Sequence, residues 1–362
     1  MLKMAQEEAL RYSGYLGKGM EFYDPRKRKV LIIKLGAMGD VLRTTPVLLG
    51  LKKKYDNIMI YWVTSPESVA LLENNPLIDK ILPYNFESVL RLMYEKFDLV
   101  FSFEIDAPGT LLANIVKAKR KFGYYFNDRG MTSCYNRFAE QHLKIAFSDE
   151  LKVKNSKSYQ EMMFEVAELP FHGESYMLEL TDEIRSYGEK FKKKNNFKSN
   201  DILIGLNMAS GKRWPSKLWS QEKISEFVKA LSKNKNVKII LLGGPEEKFL
   251  AQLQSALKKK GLKVYAKNTS DSIEEFIGII NICDCLVTTD SLGLHISLAL
   301  KKKTIVLFFS TLGNEIKSEP YLVKLQSLLI KKYFYVNEYE KELANSISVQ
   351  DVVSAIRKLN IF

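Results

Sequence analysis

Short apolar runs rich in β-branched residues recur along the chain, and between them lie stretches whose apolar positions return every three to four residues. Residues 30–35 (VLIIKL) form the first such run; it ends in Gly36-Ala37-Met38-Gly39-Asp40, and a helical pattern follows, VLRTTPVLLGLKKKY. Residues 58–63 (IMIYWV) make the next run. Runs this short and this continuously apolar suit strands buried on both faces. Strand, glycine turn, helix and strand together are a βαβ unit, the seed of a parallel sheet. Further strands are expected at 80–82, 99–103 and 121–125, with helical stretches between them.

The rhythm restarts in the second half. Residues 202–206 (ILIGL) read as a strand, followed by the loop NMASGKRWPSK, a helix at 220–231 and a strand at 237–242 (VKIILL). Gly243-Gly244-Pro245 opens another helix; a strand at 285–288, a helix at 291–300 and a strand at 304–308 (TIVLF) complete the series. Strands alternating with helices twice over predict an α/β protein of two doubly wound parallel-sheet domains. The polar, lysine-rich stretch 181–200 is expected to hold a helix and then the interdomain connection. The domains are therefore expected at 1–185 and 186–345. Residues 348–359 begin Ser-x-x-Asp and carry Val349, Val352, Val353 and Ile356 at helical spacing, so 346–362 is read as a capped terminal helix able to pack back on the N-terminal domain. A helix at 1–15 is expected as an N-terminal extension.

Composition agrees with two domains. The chain has 362 residues, more than the roughly 250–300 at which one core stops growing, and 46% of them are apolar. No apolar run approaches the ~20 residues of a membrane-spanning helix, and the N-terminus lacks a signal peptide's apolar centre. Three cysteines make no disulfide framework, so a reducing cytoplasm is the expected compartment. Cys283 and Cys285 are read as buried thiols on one face of a strand. A net charge of +13 attracts polyanions. The lysines are scattered in short runs, and no aromatic RNA-binding signature or zinc finger is present, so a charged glycan or lipid fits better than nucleic acid. Three dispersed histidines support no histidine-based metal site; His142 and His172 are read as ordinary surface or core residues.

Ligands of open α/β sheets bind at the carboxyl ends of the strands. Four segments lie just past a strand and are expected to line a cleft. The first is Gly36-Ala37-Met38-Gly39-Asp40, whose glycines let backbone approach a ligand and whose helix start favours anions. It is neither a dinucleotide fingerprint nor a P-loop. Spacing alone leaves Asp40 balanced between a helix N-cap and a catalytic base. The second, Ser210-Gly211-Lys212-Arg213-Trp214-Pro215, offers Lys212 as a point charge for phosphate. The third, Gly243-Gly244-Pro245-Glu246-Glu247, offers a carboxylate to ribose hydroxyls. The fourth is Thr289-Asp290-Ser291-Leu292-Gly293-Leu294-His295, where helix-start donors, Ser291 and His295 are expected to converge on one anion.

Taken in order, VLIIKLGAMGDVLRTTPVLLGLKKKY, GLNMASGKRWPSKLW, LLGGPEE and TTDSLGLHISLALKKKTIVLFF resemble glycosyltransferase family 9, the heptosyltransferases that use ADP-heptose in lipopolysaccharide biosynthesis. The resemblance spans roughly residues 29–320. It implies a GT-B fold of two Rossmann-like domains facing across a cleft, acceptor on the N-terminal domain and nucleotide sugar on the C-terminal one. It implies inverting transfer without a metal or other cofactor. Asp40 then matches the catalytic base. Lys212, Ser210, Asp290, Ser291 and His295 match donor phosphate contacts, and Glu246 or Glu247, with Gly243 and Gly244, the nucleoside site. Gly36 and Gly39 shape the cleft loop; Arg43, Arg120, Lys121 and Arg129 are candidate cations for an anionic glycan or glycolipid acceptor. The expected place of work is the cytoplasm, with peripheral contact at the inner membrane. Two departures fall near the donor side: Ser310-Thr311-Leu312 replaces the common G-P-T, and D-S-L-G-L-H shifts a glycine by one position. Rival readings are a nucleotide-sugar epimerase of the same fold and a non-catalytic nucleotide-sugar-binding protein. The nearest approach to a D-x-D metal motif is Glu104-Ile105-Asp106.

Overall fold

The computed structural model describes residues 27–208, 214–243, 247–266 and 272–362. The first unit comprises described residues up to 149 together with 160–174. Its elements are β1 (Arg28–Ile33), α1 (Met38–Thr44), α2 (Val47–Lys54), β2 (Ile58–Thr64), α3 (Val69–Leu72), β3 (Lys80–Pro83), α4 (Phe86–Tyr94), β4 (Lys96–Ser102), α5 (Ala107–Ile115), β5 (Lys117–Phe126), β6 (Thr132–Cys134) and α6 (Arg137–Phe147); α7 (Asp149–Lys154), which is grouped with the second unit from residue 150, then leads to α8 (Tyr159–Val166). The sheet order is β3-β2-β1-β4-β5-β6, parallel except for the β5–β6 pair. β1 and β2 are central and apolar on both faces: Val30 to Ile33 and Ile60 are wholly buried, as is Trp62. That is why these runs do not alternate.

The second unit holds 150–159 and 175–362. Its elements continue as α9 (Asp182–Lys194), β7 (Ile202–Asn207), α10 (Gln221–Leu231), β8 (Val237–Leu242), α11 (Glu247–Lys259), β9 (Tyr265–Ala266), α12 (Ile273–Ile282), β10 (Cys285–Thr289), α13 (Leu292–Ala299), β11 (Lys303–Phe308), β12 (Leu322–Gln326), α14 (Lys341–Ala344) and α15 (Val349–Lys358). The order β12-β11-β10-β7-β8-β9 is parallel throughout. In chain order both sheets therefore read 3-2-1-4-5-6, the doubly wound arrangement with a switch of direction between its first and fourth strands.

Two boundaries differ from the sequence reading. The helix α9, which the boundary expected at 185 would divide, lies wholly in the second unit, where it crosses α12 at close range: a Cβ on Gly188 would lie 2.4 Å from the Gly278 carbonyl oxygen. The terminal helix α15 is part of the second unit. Val352, Ile356 and Leu359 join Ile204, Leu206, Ile305 and Leu307 in the second unit's core. Its start is as expected, with Ser348 Oγ accepting from Asp351 N at 3.1 Å. The thiols are buried, but only Cys285 is on a strand; Cys283 ends α12 and its Sγ donates to the Ile279 carbonyl. Burial pushes both thiols up to about 12. The helix expected at 1–15 lies outside the described residues. Among the described residues no helix is long and apolar enough to cross a membrane.

Candidate functional site

The switch point of the first unit lies where β1 and β4 end, and the chain leaving each strand builds one polar cluster. Glu104, which follows β4, is buried. Its Oε1 accepts from the backbone N–H of Leu35 at 2.7 Å and of Gly36 at 3.0 Å, and Lys34 Nζ lies 3.1 Å away. The carboxylate thus holds the loop leaving β1 in place and is itself neutralised by Lys34. Gly109 has to be small here, since a Cβ would stand 2.3 Å from that of Glu104. The Glu104-Ile105-Asp106 pattern is therefore a brace for the loop; among the described residues no group of three or more His, Cys, Asp or Glu is placed to hold a metal ion.

Asp40 sits in the first turn of α1, but the N-cap is Ala37, three residues earlier. Its side chain remains 38% exposed and meets Nη1 of the nearly buried Arg43 at 3.3 Å. Capping is therefore not what places Asp40; the loop brace and the i,i+3 pairing with Arg43 do that. His142, set aside on sequence, lies beside this group. Its Nδ1 hydrogen-bonds with the buried Tyr124 hydroxyl. Burial, then Lys34 and Arg43, push its pKa down to about 4, with Asp40 pulling the other way. The imidazole is neutral at ordinary pH.

The other acceptor-side candidates divide. Lys121 Nζ donates to the Ala113 carbonyl at 2.8 Å and the Asn114 carbonyl at 3.2 Å, so it satisfies the C-terminus of α5. Burial lowers its pKa. Arg120 lies over the Phe122 ring and 3.7 Å from Glu168. Arg129 is exposed in the turn at 127–131, its N–H bonded to Asn127 Oδ1.

In the second unit the switch falls between β7 and β10. Asn207, the last residue of β7, donates through Nδ2 to Thr288 Oγ1 and Ser291 Oγ, both at 3.0 Å. Ser291 is the N-cap of α13. A Cβ on Gly293 would stand 2.4 Å from Asn207 Nδ2, which explains the position of that glycine in D-S-L-G-L-H. Asp290 receives Lys217 Nζ at 2.6 Å and Thr311 Oγ1 at 2.9 Å on the same oxygen, Oδ2. Lys217 also lies 5.0 Å over the Trp214 ring, and Ser216 Oγ meets Ser310 Oγ at 3.0 Å. Ser310 and Thr311, which replace G-P, therefore tie the loop after β11 to the loop after β7 and to Asp290.

The structure brings Asp290 and Ser291 together at this switch point. His295 is one turn further along α13, buried, its ring 6.0 Å from that of Tyr176. Gly243 is a packing position: a Cβ would press on Leu250 at 2.4 Å. Glu247 opens α11. Ser210, Lys212, Gly244 and Glu246 lie outside the described residues. Sequence reasoning gave no role to Lys217, Lys34 or Tyr124, and it noted Thr311 only as a departure near the donor side, Glu104 only as a near miss to a metal motif and His142 only as an ordinary residue. Lys217 stood in a loop already singled out, but nothing in the sequence shows which lysine of that loop turns towards Asp290.

Two doubly wound domains of the same strand order, each with a polar cluster at its switch point, define the class: an α/β protein with the GT-B fold. Residues 89–342 match the description glycosyltransferase family 9 (heptosyltransferase). Lipopolysaccharide heptosyltransferase 1 of Campylobacter coli is 25% identical over 303 residues, 78% of this chain and 84% of that protein. The family 9 glycosyl transferase of Veillonella parvula superposes with a TM-score of 0.73 at 20% identity, covering 92% of this chain and 97% of that one. The ADP-heptose lipopolysaccharide heptosyltransferase II of E. coli does so with a TM-score of 0.68 at 16% identity, covering 91% and 98%. The chain belongs to glycosyltransferase family 9 and is a glycosyltransferase.

Proposed function

We propose that this chain moves heptose from ADP-heptose onto a lipopolysaccharide-type acceptor by a single, inverting displacement that needs no metal. The observation that carries the reading is Asp40: a partly exposed carboxylate, just past β1 at the switch point, oriented by Arg43. The names of the Campylobacter and E. coli relatives support the sugar and the acceptor class. In the reaction Asp40 accepts the proton of an acceptor hydroxyl as that oxygen attacks the anomeric carbon. The bond to the nucleoside diphosphate breaks and its oxygen takes up negative charge. Lys212 and the start of α13 near Ser291 stabilise that charge, while Asp290, neutralised by Lys217, accepts hydrogen bonds without repelling the diphosphate. The enzyme works at the cytoplasmic side of the inner membrane, where such acceptors are assembled.

The test is release of ADP from ADP-heptose in the presence of a heptose-deficient lipopolysaccharide core. Asp40→Asn and Asp40→Ala should lower kcat by ~100-fold or more, the usual scale for a general base, with ADP binding kept. Near-normal turnover would remove Asp40 from the role. Donor consumption without acceptor would favour an epimerase or hydrolase, and loss of activity in EDTA would refute the metal-free route.

A further inference from the structure

The helix α4 carries two apolar arcs. Leu92 is wholly buried against the first unit's core, which Val89 also joins. The opposite side carries Phe86, Leu90 and Tyr94 at i, i+4 and i+8, with Met93 between them, all exposed; Phe86 is 78% and Tyr94 82% accessible. At 100° per residue these four span about a quarter of the helix circumference. On the neighbouring α5, Leu111 and Ile115 are exposed in the same i, i+4 relation. Soluble proteins scatter single exposed apolar residues, but a contiguous ladder of this kind marks a contact surface.

The edge of the ladder is basic. Lys96 and Lys117 start the strands that follow α4 and α5, are register partners across β4 and β5, and are both exposed. Glu95, beside Lys96, is already bonded to Lys29 and Arg91, and the exposed Glu87 stands in the first turn of α4, at the end of the helix away from Lys96. We propose that this face of the first domain docks on an anionic lipid bilayer, the α4 aromatics and aliphatics entering the interface and Lys96 and Lys117 meeting the headgroups. Charge decides between this occupant and a second copy of the chain. A two-fold pairing repeats the same basic edge on both sides of the contact, whereas an anionic surface complements it. The docking extends the transfer reading by placing the enzyme on the surface that holds a lipid-anchored acceptor. It needs neither donor nor acceptor, so the two fail independently.

The experiment is co-sedimentation of the full chain with phosphatidylcholine vesicles and with mixed phosphatidylcholine–phosphatidylglycerol vesicles, at low and high salt. Wild type should bind the mixed vesicles, weakly or not at all the neutral ones, and less in high salt. Phe86→Glu with Tyr94→Glu should lower binding at least about tenfold, and Lys96→Ala with Lys117→Ala by about tenfold as well, with unchanged melting temperatures and unchanged turnover on a delipidated acceptor. No binding by wild type, or undiminished binding by the variants, overturns the proposal. So does a wild-type dimer that the Phe86/Tyr94 variant dissolves while vesicle binding is absent. Should the glutamate variant not fold, the lysine variant and the neutral vesicles still decide the matter.

Discussion

Lys217 illustrates what a single residue does in this molecule. Its ammonium group is nearly buried between Trp214 and Asp290, and the Asp290 carboxylate is only 20% exposed. Removing one partner of such a pair leaves the other charge poorly solvated, a cost of about 3 kcal/mol when burial is complete and less here. Lys217→Met should therefore lower the melting temperature and weaken ADP binding measured by titration calorimetry, while Lys217→Arg restores most of the affinity. Equal ADP affinity in the methionine variant would show that Asp290 needs no neutralising partner. His142 supplies a second test at this scale. Its folded pKa, about 4, lies below the ordinary value of 6.5. The unfolded chain thus binds the extra proton between these values, so His142's contribution is intact above pH 6.5 and is lost as pH falls towards 4. The slope is at most ~1.4 kcal/mol per pH unit. His142→Gln should flatten this part of the stability curve in denaturant titrations; an unchanged curve would mean that His142 titrates normally.

Among elements, the strands and most helices were legible because each run has one dominant period. The run at 237–242 is a strand with those very limits, and the helix start at Ser348 carries the hydroxyl cap that its spacing predicts, as does the start at Ser220, where only the helix was expected. The short β6, β9 and β12 were not anticipated. β12 is half-buried at the sheet edge and takes its strand conformation from pairing with β11, so its own sequence has no continuous apolar run. The packing of α9 on α12 was equally hidden, although its device is simple: Gly188 and Gly278 let two helix backbones touch. Alanine is a better helix former than glycine by ~1 kcal/mol. At Gly188, however, its Cβ meets a backbone oxygen that cannot rotate away. Gly188→Ala should therefore destabilise by about 1–3 kcal/mol, read as a lower denaturation midpoint. A stabilised variant would show that the helices separate at little cost.

For the whole molecule, the strand–helix rhythm that runs twice along the chain builds two sheets of identical order, and each half puts its polar cluster at its own switch point. The second unit is closed by the last helix of the chain. Val352, Val353, Ile356 and Leu359 are buried there, and at roughly 1.5–3 kcal/mol for each such side chain their loss rivals the ~5–15 kcal/mol stability of a typical domain. Ending the chain after residue 345 should therefore unfold the second unit, seen as rapid proteolysis of that half and loss of ADP binding. A truncated chain that binds ADP normally would contradict this account of the core.

The sequence by itself determined the architecture, because continuous β-branched runs separated by helical periods and glycine turns are local properties of the chain. Through its motifs it also determined the family and the position of Asp40 just past the first strand. Tertiary structure decided which charges meet. Glu104 is 68 residues from Gly36, and Asp290 is 73 from Lys217. Only the strand order brings such pairs within hydrogen-bond range. The same distance in sequence is why Glu104 read only as part of a near miss to a metal motif, Lys121 as an acceptor cation and His142 as a bystander, until the fold gave each its neighbours.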